Sequence, residues 1–319
     1  MKFKNILTAT VISGAFALFS TCYAKDAGHG HDYRTFHTDG QIEYGQINDS
    51  YSSDLVMYLA GNQFMAMEEL IKDFQKKNPD IESVYVETIP PGQILKGQIL
   101  KQGMIDGQKT AQNPDLYASV NLGHLKKLKA KNMMKKYIIY THNQLELMIA
   151  KGNPKHIKGP NDLKRKDLIQ SHPNPLTEGI FKFYGSQMLK DLGIYQQVTA
   201  NKKCKGCWAV KDKTWFTVRH HRETPFRIEN GKADVGIVWS TEVQHAKKAK
   251  RNIDGVKIPA PYNMASKVGY AIGELSNAKN SKNAKRYLAY LASKDAQNIY
   301  ASYGFVKATK NDLKLKNIP

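Results

Sequence analysis

The stretch that decides the fold is Gly231–Ser240, GKADVGIVWS. Its second half, Val235–Trp239, is a short apolar run of the kind that forms a buried strand in a parallel sheet. A Gly-Lys-Ala-Asp turn precedes the run, and Ser240 and Thr241 follow it where a helix is expected to begin. Because ligands of open α/β sheets bind at the carboxyl ends of the strands, Trp239, Ser240 and Thr241 are predicted ligand contacts.

Similar apolar runs recur along the chain and alternate with amphipathic segments. Strands are predicted at Leu55–Ala60, Val84–Ile89, Leu116–Ser119, Leu145–Lys151, Leu168–Ser171 and Thr214–Val218, and two more, Val256–Ala260 and Lys267–Ile272, are predicted to return the chain to its first half. Apolar residues at helical spacing predict helices between the strands, among them Gln93–Gln102 and Leu122–Ala130. Successive β-α units of this kind predict an α/β fold with parallel strands and right-handed crossovers.

Residues 1–24 have the features of a secretory signal peptide. Lys2 and Lys4 form a positive start, Ile6–Phe19 is apolar, and Cys22-Tyr23-Ala24 resembles a cleavage site. The apolar stretch is too short to span a bilayer comfortably. Removal after Ala24 is favoured over acylation of Cys22, because the residues before Cys22 are a poor match to lipoprotein processing. We therefore expect a periplasmic protein.

The charge and the motifs narrow the class of function. The full chain has 48 Lys and Arg against 28 Asp and Glu, a net charge of +20 at pH 7. The lysines are scattered and form no stripe interleaved with aromatic residues, so nucleic acid is not a predicted partner, whereas an anionic ligand is compatible with the charge. The catalytic motifs G-x-S-x-G and H-E-x-x-H and the phosphate loop G-x-x-x-x-G-K do not occur. No enzyme activity, cofactor or metal is predicted.

Two cysteines, Cys204 and Cys207, remain after removal of the signal peptide. In an oxidising compartment an even number of cysteines favours a disulfide. Free thiols, or a zinc site that also uses His220 and His221, remain as alternatives. A redox site of the thioredoxin type is not expected, because Asn201-Lys202-Lys203 stands where such a site needs a strand.

Several short motifs occur in a characteristic order: Leu59–Gln63, Asn113–Ser119, Lys151–Pro154, Pro173–Pro175 with Gly179, Gly231–Trp239, and Tyr287–Ser293 with Tyr303–Phe305. In this order the chain resembles the periplasmic molybdate-binding family, and more closely the related anion-binding proteins of the accessory-colonisation-factor type. The resemblance covers about Asp54 to Phe305. It implies a type II periplasmic-binding fold, in which two α/β lobes with mixed sheets are joined by two hinge crossovers and enclose a ligand cleft.

The sequence and the resemblance together predict a division of the chain. Residues 1–24 are the signal peptide, and 25–53 are a polar arm rich in His and Gly. Residues 54–138 together with 260–319 form lobe 1. Residues 139–259 form lobe 2, which contains the Cys204/Cys207 loop.

Ligand contacts are transferred by position. The resemblance places them in the turn Gly61-Asn62-Gln63 and near Ser119, and Trp239 stands where the family often has tyrosine. Helix starts at Gly61-Asn62, at Gly92 and at Thr177-Glu178-Gly179 supply backbone N–H groups and a partial positive charge suited to an anion.

The turn Arg219–Pro225, RHHRETP, departs from the family pattern. Thr224 is a predicted N-cap for a helix that contains Pro225. A guanidinium binds carboxylate or phosphate through two parallel hydrogen bonds, so Arg222, with His220 or His221, is predicted to bind a phosphorylated or carboxylated metabolite. The alternative is a surface ion pair between Arg222 and Glu223.

The function that follows is a receptor that carries a small anion to the permease of an ABC transporter. Its only contact with the inner membrane is expected to be through that permease. A secreted adhesin on the same fold is the alternative, and a hydrolase that uses His220, His221 and Glu223 is less favoured.

Overall fold

The computed structural model describes residues 32–101, 103–105, 108–120, 122–218 and 223–319. The predicted signal peptide and the first part of the predicted arm therefore lie outside the described residues. None of the helices in the described ranges is both long and apolar enough to cross a bilayer.

The described residues contain strands and helices in alternation. In chain order the strands are β1 (Tyr33–His37), β2 (Ile42–Tyr44), β3 (Leu55–Ala60), β4 (Ser83–Ile89), β5 (Met104–Ile105), β6 (Gln108–Lys109), β7 (Leu116–Ser119), β8 (Lys136–His142), β9 (Leu145–Ala150), β10 (Gln170–His172), β11 (Cys207–Val210), β12 (Thr214–Phe216), β13 (Val235–Trp239), β14 (Ile253–Lys257), β15 (Gly269–Glu274), β16 (Val306–Lys307) and β17 (Lys316–Asn317). The α-helices are Met67–Lys77, Pro91–Gln93, Leu122–Ala130, Ser186–Asp191, Tyr195–Thr199, Glu223–Glu229, Ser240–Lys248, Ser281–Leu291 and Lys294–Ser302, with π-helical turns at Ile94–Ile99 and Ile180–Gly185 and 3₁₀ turns at Ile47–Tyr51, Gly61–Ala66 and Pro160–Lys164.

The first sheet has the strand order β16-β8-β15-β7-β3-β4-β1-β2, with β17 added beside β8. At its centre β3 is parallel to β4 and β7, and all six residues of β3 are buried. β15 belongs to the segment that returns from the second sheet, and it runs antiparallel to β7 and β8. The sheet is therefore mixed, with its parallel strands in the middle.

The second sheet has the order β11-β12-β10-β13-β9-β14. β13, the strand predicted from GKADVGIVWS, is buried along its whole length, parallel to β10 and antiparallel to β9. Its close contact with β10 requires glycine at position 236, since a Cβ there would lie 2.2 Å from both Ser171 O and Thr224 Cγ2. The predicted α/β fold with two mixed sheets is confirmed.

Two segments connect the sheets. The outward connection is Asn143-Gln144, between β8 and β9, and the return connection runs from residue 258 to residue 268. Asn143 is fully buried in this hinge region. Its amide nitrogen donates to the hydroxyls of Thr241 and Tyr270, both at 3.2 Å, so the outward segment is bonded to the second lobe and to the returning strand.

Several details differ from the predictions. Residues 25–53 were predicted to be an arm, but β1 and β2 form a hairpin that extends the first sheet along β4, so this prediction is wrong from residue 33 onward. The apolar side chain of Phe36 is buried there, and the buried Arg34 donates to Phe64 O at 2.8 Å.

Three predicted boundaries are also corrected. β8 continues in the first sheet to His142, so residues 139–142 belong to the first lobe. The strand predicted at Val256–Ala260 corresponds to β14, which spans Ile253–Lys257. It pairs antiparallel with β9 and therefore belongs to the second sheet, not to the first. The helix predicted at Gln93–Gln102 becomes a short α-turn followed by the π-helical turn Ile94–Ile99.

Candidate functional site

The carboxyl ends of the parallel strands lie at one edge of each sheet, and these two edges meet. Tyr184, in the π-helical turn of the second lobe, donates its hydroxyl to Val120 O, just beyond β7, at 2.9 Å. The ring of Tyr184 also packs edge-on against Trp239 at the end of β13, with 5.5 Å between centroids. The edges of the two sheets thus form two facing walls.

On the first wall, the turn Gly61-Asn62-Gln63 follows β3. Gly61 passes close to β4, because a Cβ there would lie 3.2 Å from Thr88 O. Gln63 is fully buried, and its Oε1 accepts hydrogen bonds from the hydroxyls of Tyr140 at 2.7 Å and Tyr300 at 2.9 Å. Asn62 donates to the hydroxyl of Tyr270. The side chains of Asn62 and Gln63 therefore hold the turn to the core and the hinge.

Gly92 and Ser119 both lie next to His124, a residue that was not predicted from the sequence. Its Nδ1 lies 2.9 Å from Ser119 Oγ and 3.2 Å from the hydroxyl of Tyr117. A Cβ placed on Gly92 would lie 3.6 Å from the ring carbon Cε1. Gly92, Ser119 and His124 are therefore neighbours at the ends of β4 and β7.

Burial, together with the nearby positive charges of Lys127 and Lys96, lowers the pKa of His124 to about 4. The imidazole is thus neutral at pH 7 in the ligand-free protein. A sequence signal for this residue was present, because His124 stands in the first turn of the helix that directly follows a predicted ligand-facing strand. The two lysines are exposed and give the wall a positive potential.

On the second wall, Thr177, Glu178 and Gly179 follow β10. Glu178 is buried, and its Oε1 accepts from Thr217 Oγ1 at 2.6 Å and from Asn174 N at 3.0 Å. Thr177 is exposed and donates through its amide and hydroxyl to Asn174 Oδ1, both at 2.9 Å. Gly179 lies under the ring of Phe183. The side chains of Thr177 and Glu178 thus stabilise the loop.

Thr224 and Ser240 also bond within the protein. Thr224 is fully buried and donates to Ser171 O at 3.2 Å. It lies inside the helix Glu223–Glu229, so the N-cap prediction for Thr224 is wrong, because the helix already includes Glu223. Ser240 Oγ lies 3.2 Å from its acceptors Asn143 Oδ1 and Gly304 O, which ties the start of its helix to the hinge.

His220 and Arg222 lie outside the described residues, so their predicted contact with the ligand stays a prediction. Glu223, the next described residue, accepts from Val218 N with both carboxylate oxygens, at 2.9 and 3.0 Å. The end of β12 and the start of the following helix are held together by this contact.

Cys204 and Cys207 form a disulfide with 6.2 Å between their Cα atoms. The predicted disulfide is confirmed. The bond lies at the outer edge of the second sheet, beside β11 and β12. There the guanidinium of Arg227 lies 4.9 Å from the ring centroid of Trp215 and 5.6 Å from that of Trp208.

Comparison with known proteins identifies the family. A profile described as bacterial extracellular solute-binding protein matches residues 55–306. The chain belongs to this family. No curated protein matches the sequence.

Several solved structures share the fold at low identity. The periplasmic molybdate-binding protein of Azotobacter vinelandii is 18% identical, with a TM-score of 0.59 over 80% of this chain and 100% of that one. Peb3 from Campylobacter jejuni is 18% identical, with a TM-score of 0.54 over 80% and 100%. The sulfate-binding protein SubI from Mycobacterium tuberculosis is 16% identical, with a TM-score of 0.57 over 81% and 87%. The predicted type II periplasmic-binding fold is thereby confirmed.

Proposed function

We propose that this solute-binding protein captures a small anion between its two lobes in the periplasm and delivers it to an ABC transporter. The observation that carries the proposal is the meeting of the two strand-end edges at Tyr184 and Val120. On one of these edges, Lys96 and Lys127 lie near the neutral His124. Ligands named for structures of the same fold include three anions, which are molybdate, sulfate and, for Peb3, L-phospholactate, and they also include iron, for HitA from Pseudomonas aeruginosa.

Binding in this proposal needs no chemical step. A ligand that contacts both lobes favours the closed conformer, and closure about the hinge presents a surface to the permease. Hydrogen bonds at the hinge link the two lobes, because Asn143 donates to Thr241 of the second lobe and to Tyr270 of the returning strand. Tyr270 in turn accepts from Asn62, in the turn after β3.

We further propose that the anion is larger than a bare oxyanion and carries a phosphate or a carboxylate. Support comes from the sequence at residues 219–225, which follows β12 in the chain and contains Arg222 and His220. Exchange of Arg222 for alanine is expected to weaken binding about tenfold or more, since a charge-assisted pair of hydrogen bonds is lost. Unchanged affinity would show that Arg222 pairs with surface groups instead.

The direct test is native mass spectrometry of the mature protein purified from the periplasm. A co-bound small anion is the expected result. Thermal unfolding with molybdate, sulfate, phosphate and 3-phosphoglycerate complements it, because a ligand at about 100 times its dissociation constant adds about 2.7 kcal/mol to stability. A protein that carries no anion and is stabilised by none of the four would contradict the proposed function.

A further inference from the structure

The imidazole of His124 has Nδ1 held by the protein, and its other nitrogen, Nε2, lies near Gly92. Tyr117 donates its hydroxyl hydrogen to Pro91 O at 2.7 Å. Since a carbonyl can only accept, the oxygen of Tyr117 can only accept from Nδ1, at 3.2 Å. Ser119 Oγ, at 2.9 Å from the same nitrogen, can either donate or accept. Nδ1 is therefore satisfied both with and without a proton.

Nε2 has a different environment. No hydrogen bond joins it to any residue in the described ranges, and a Cβ on Gly92 would lie 3.8 Å from it. The charged groups that act on the ring are Lys127, on the same helix, and Lys96, on the π-helical turn beside it. Tyr117 is the titratable group on the strand beneath. Nothing negative faces the ring among these residues, so an anion is the complementary partner.

We propose that His124 contacts the bound anion through Nε2, and that binding is coupled to uptake of one proton by this ring. This inference rests on the proposed function and identifies a contact of the same site. In the complex Nε2–H donates to an anion oxygen while Nδ1–H donates to Ser119 Oγ and Tyr117. The proton comes from water, and the ring becomes an imidazolium whose charge the anion balances.

The coupling has a physical cause. In the free protein, burial and the two lysines disfavour the charged ring and hold the pKa of His124 at about 4. An anion beside Nε2 attracts the extra proton and also offsets the repulsion from Lys96 and Lys127. The pKa of His124 is therefore higher in the complex. Affinity then rises as pH falls through the complex's pKa, and levels off below about pH 4, where the free protein is protonated as well.

The test is an NMR titration of the histidine Cε1–H resonances between pH 8 and 4, with and without sulfate at up to about 0.1 M. Sulfate keeps its charge over this range, so a change in the titration belongs to the protein. His124 is assigned by the signal missing in His124→Gln, which keeps a neutral N–H donor near Nε2 and cannot titrate. His156→Asn is the control, because His156 is exposed and its φ of 50° is one that asparagine tolerates.

With sulfate we expect the titration midpoint of His124 to rise by about two pH units or more. Sulfate affinity of the wild type and of His156→Asn should increase about tenfold or more from pH 8 to pH 5, and that of His124→Gln should stay constant. A His124 midpoint that does not move while other resonances show saturable sulfate binding would overturn this inference and leave the proposed function standing. Absence of saturable binding for sulfate, phosphate, molybdate and 3-phosphoglycerate at pH 5 would overturn both.

Discussion

His172 and His124 lie near strand ends in the two lobes, and they differ in how their nitrogens are used. His172 is the last residue of β10 and is fully buried. Its Nδ1 accepts from Ile237 N at 3.1 Å, which places the proton on Nε2, and Nε2 donates to Gln170 Oε1 at 2.8 Å. In His124 only Nδ1 has hydrogen-bond partners among the described residues, which are Ser119 and Tyr117.

The pKa values of the two histidines do not separate these roles. Burial lowers the pKa of His172 to about 3, and burial is also the main reason that the pKa of His124 falls to about 4. A perturbed pKa is therefore shared by a structural residue and by a proposed ligand contact. The hydrogen bonds distinguish them, because His172 has both nitrogens satisfied within the protein.

The largest effect is expected from Gly236→Ala. This exchange disturbs the packing of β13 against β10, the strand that carries His172. A Cβ at this position would lie 2.2 Å from Ser171 O, a backbone atom that cannot move aside as a side chain can. We expect the second lobe not to fold, with a cost above about 3 kcal/mol. Circular dichroism and limited proteolysis measure this. Gly159→Ala is the control, because nothing lies within 4 Å of its Cβ position, and an equal loss in both variants would refute the packing argument.

A smaller effect is expected from His172→Asn. Asparagine Oδ1 can still accept from Ile237 N, but the bond to Gln170 and part of the packing are lost, so stability at pH 7 should fall by about 2–3 kcal/mol. The variant should also respond less to acid. The folded pKa of His172, about 3, is below the unfolded value of about 6.5, so stability is lost as pH falls between these values.

Denaturant unfolding at pH 7 and pH 4.5 tests that difference. Between pH 6.5 and pH 4.5, the wild type should lose about 2.7 kcal/mol of stability because of His172 alone. His172→Asn should not show this loss. Sulfate should stabilise His172→Asn as much as it stabilises the wild type. If His172→Asn lost the response to sulfate, His172 would belong to the binding site and the contrast between the two histidines would fail.

The sequence predicted the fold better than the site. β3, β7 and β13 have their predicted bounds because each is an apolar run enclosed by polar or turn residues. The strand Tyr33–His37 was missed because its polar composition concealed a strand that adds to the edge of β4.

The candidate site depends on residues distant in sequence. Gln63 was predicted to contact ligand, but its acceptor oxygen is occupied by Tyr140 and Tyr300, which are far along the chain. His124 was missed for the converse reason. Two of its neighbours, Gly92 and Lys96, belong to another β-α unit. The local sequence does not reveal which strand ends become neighbours in the fold.

The smallest effect is expected from the double exchange Cys204→Ser with Cys207→Ser. The disulfide closes a loop of only about four residues, for which the chain-entropy model gives about 2 kcal/mol of stability. The bond lies at the edge of the second sheet, where β11 pairs with β12, and β12 pairs with β10, the strand of His172. Its removal loosens that edge and leaves the surroundings of His124 unchanged, so sulfate affinity should change by less than about twofold. Thermal unfolding and a sulfate titration of the double variant, beside the reduced wild type, measure the two quantities together. A tenfold loss of affinity in both samples would mean that the second lobe's edge shapes the site as much as the wall that carries His124 does.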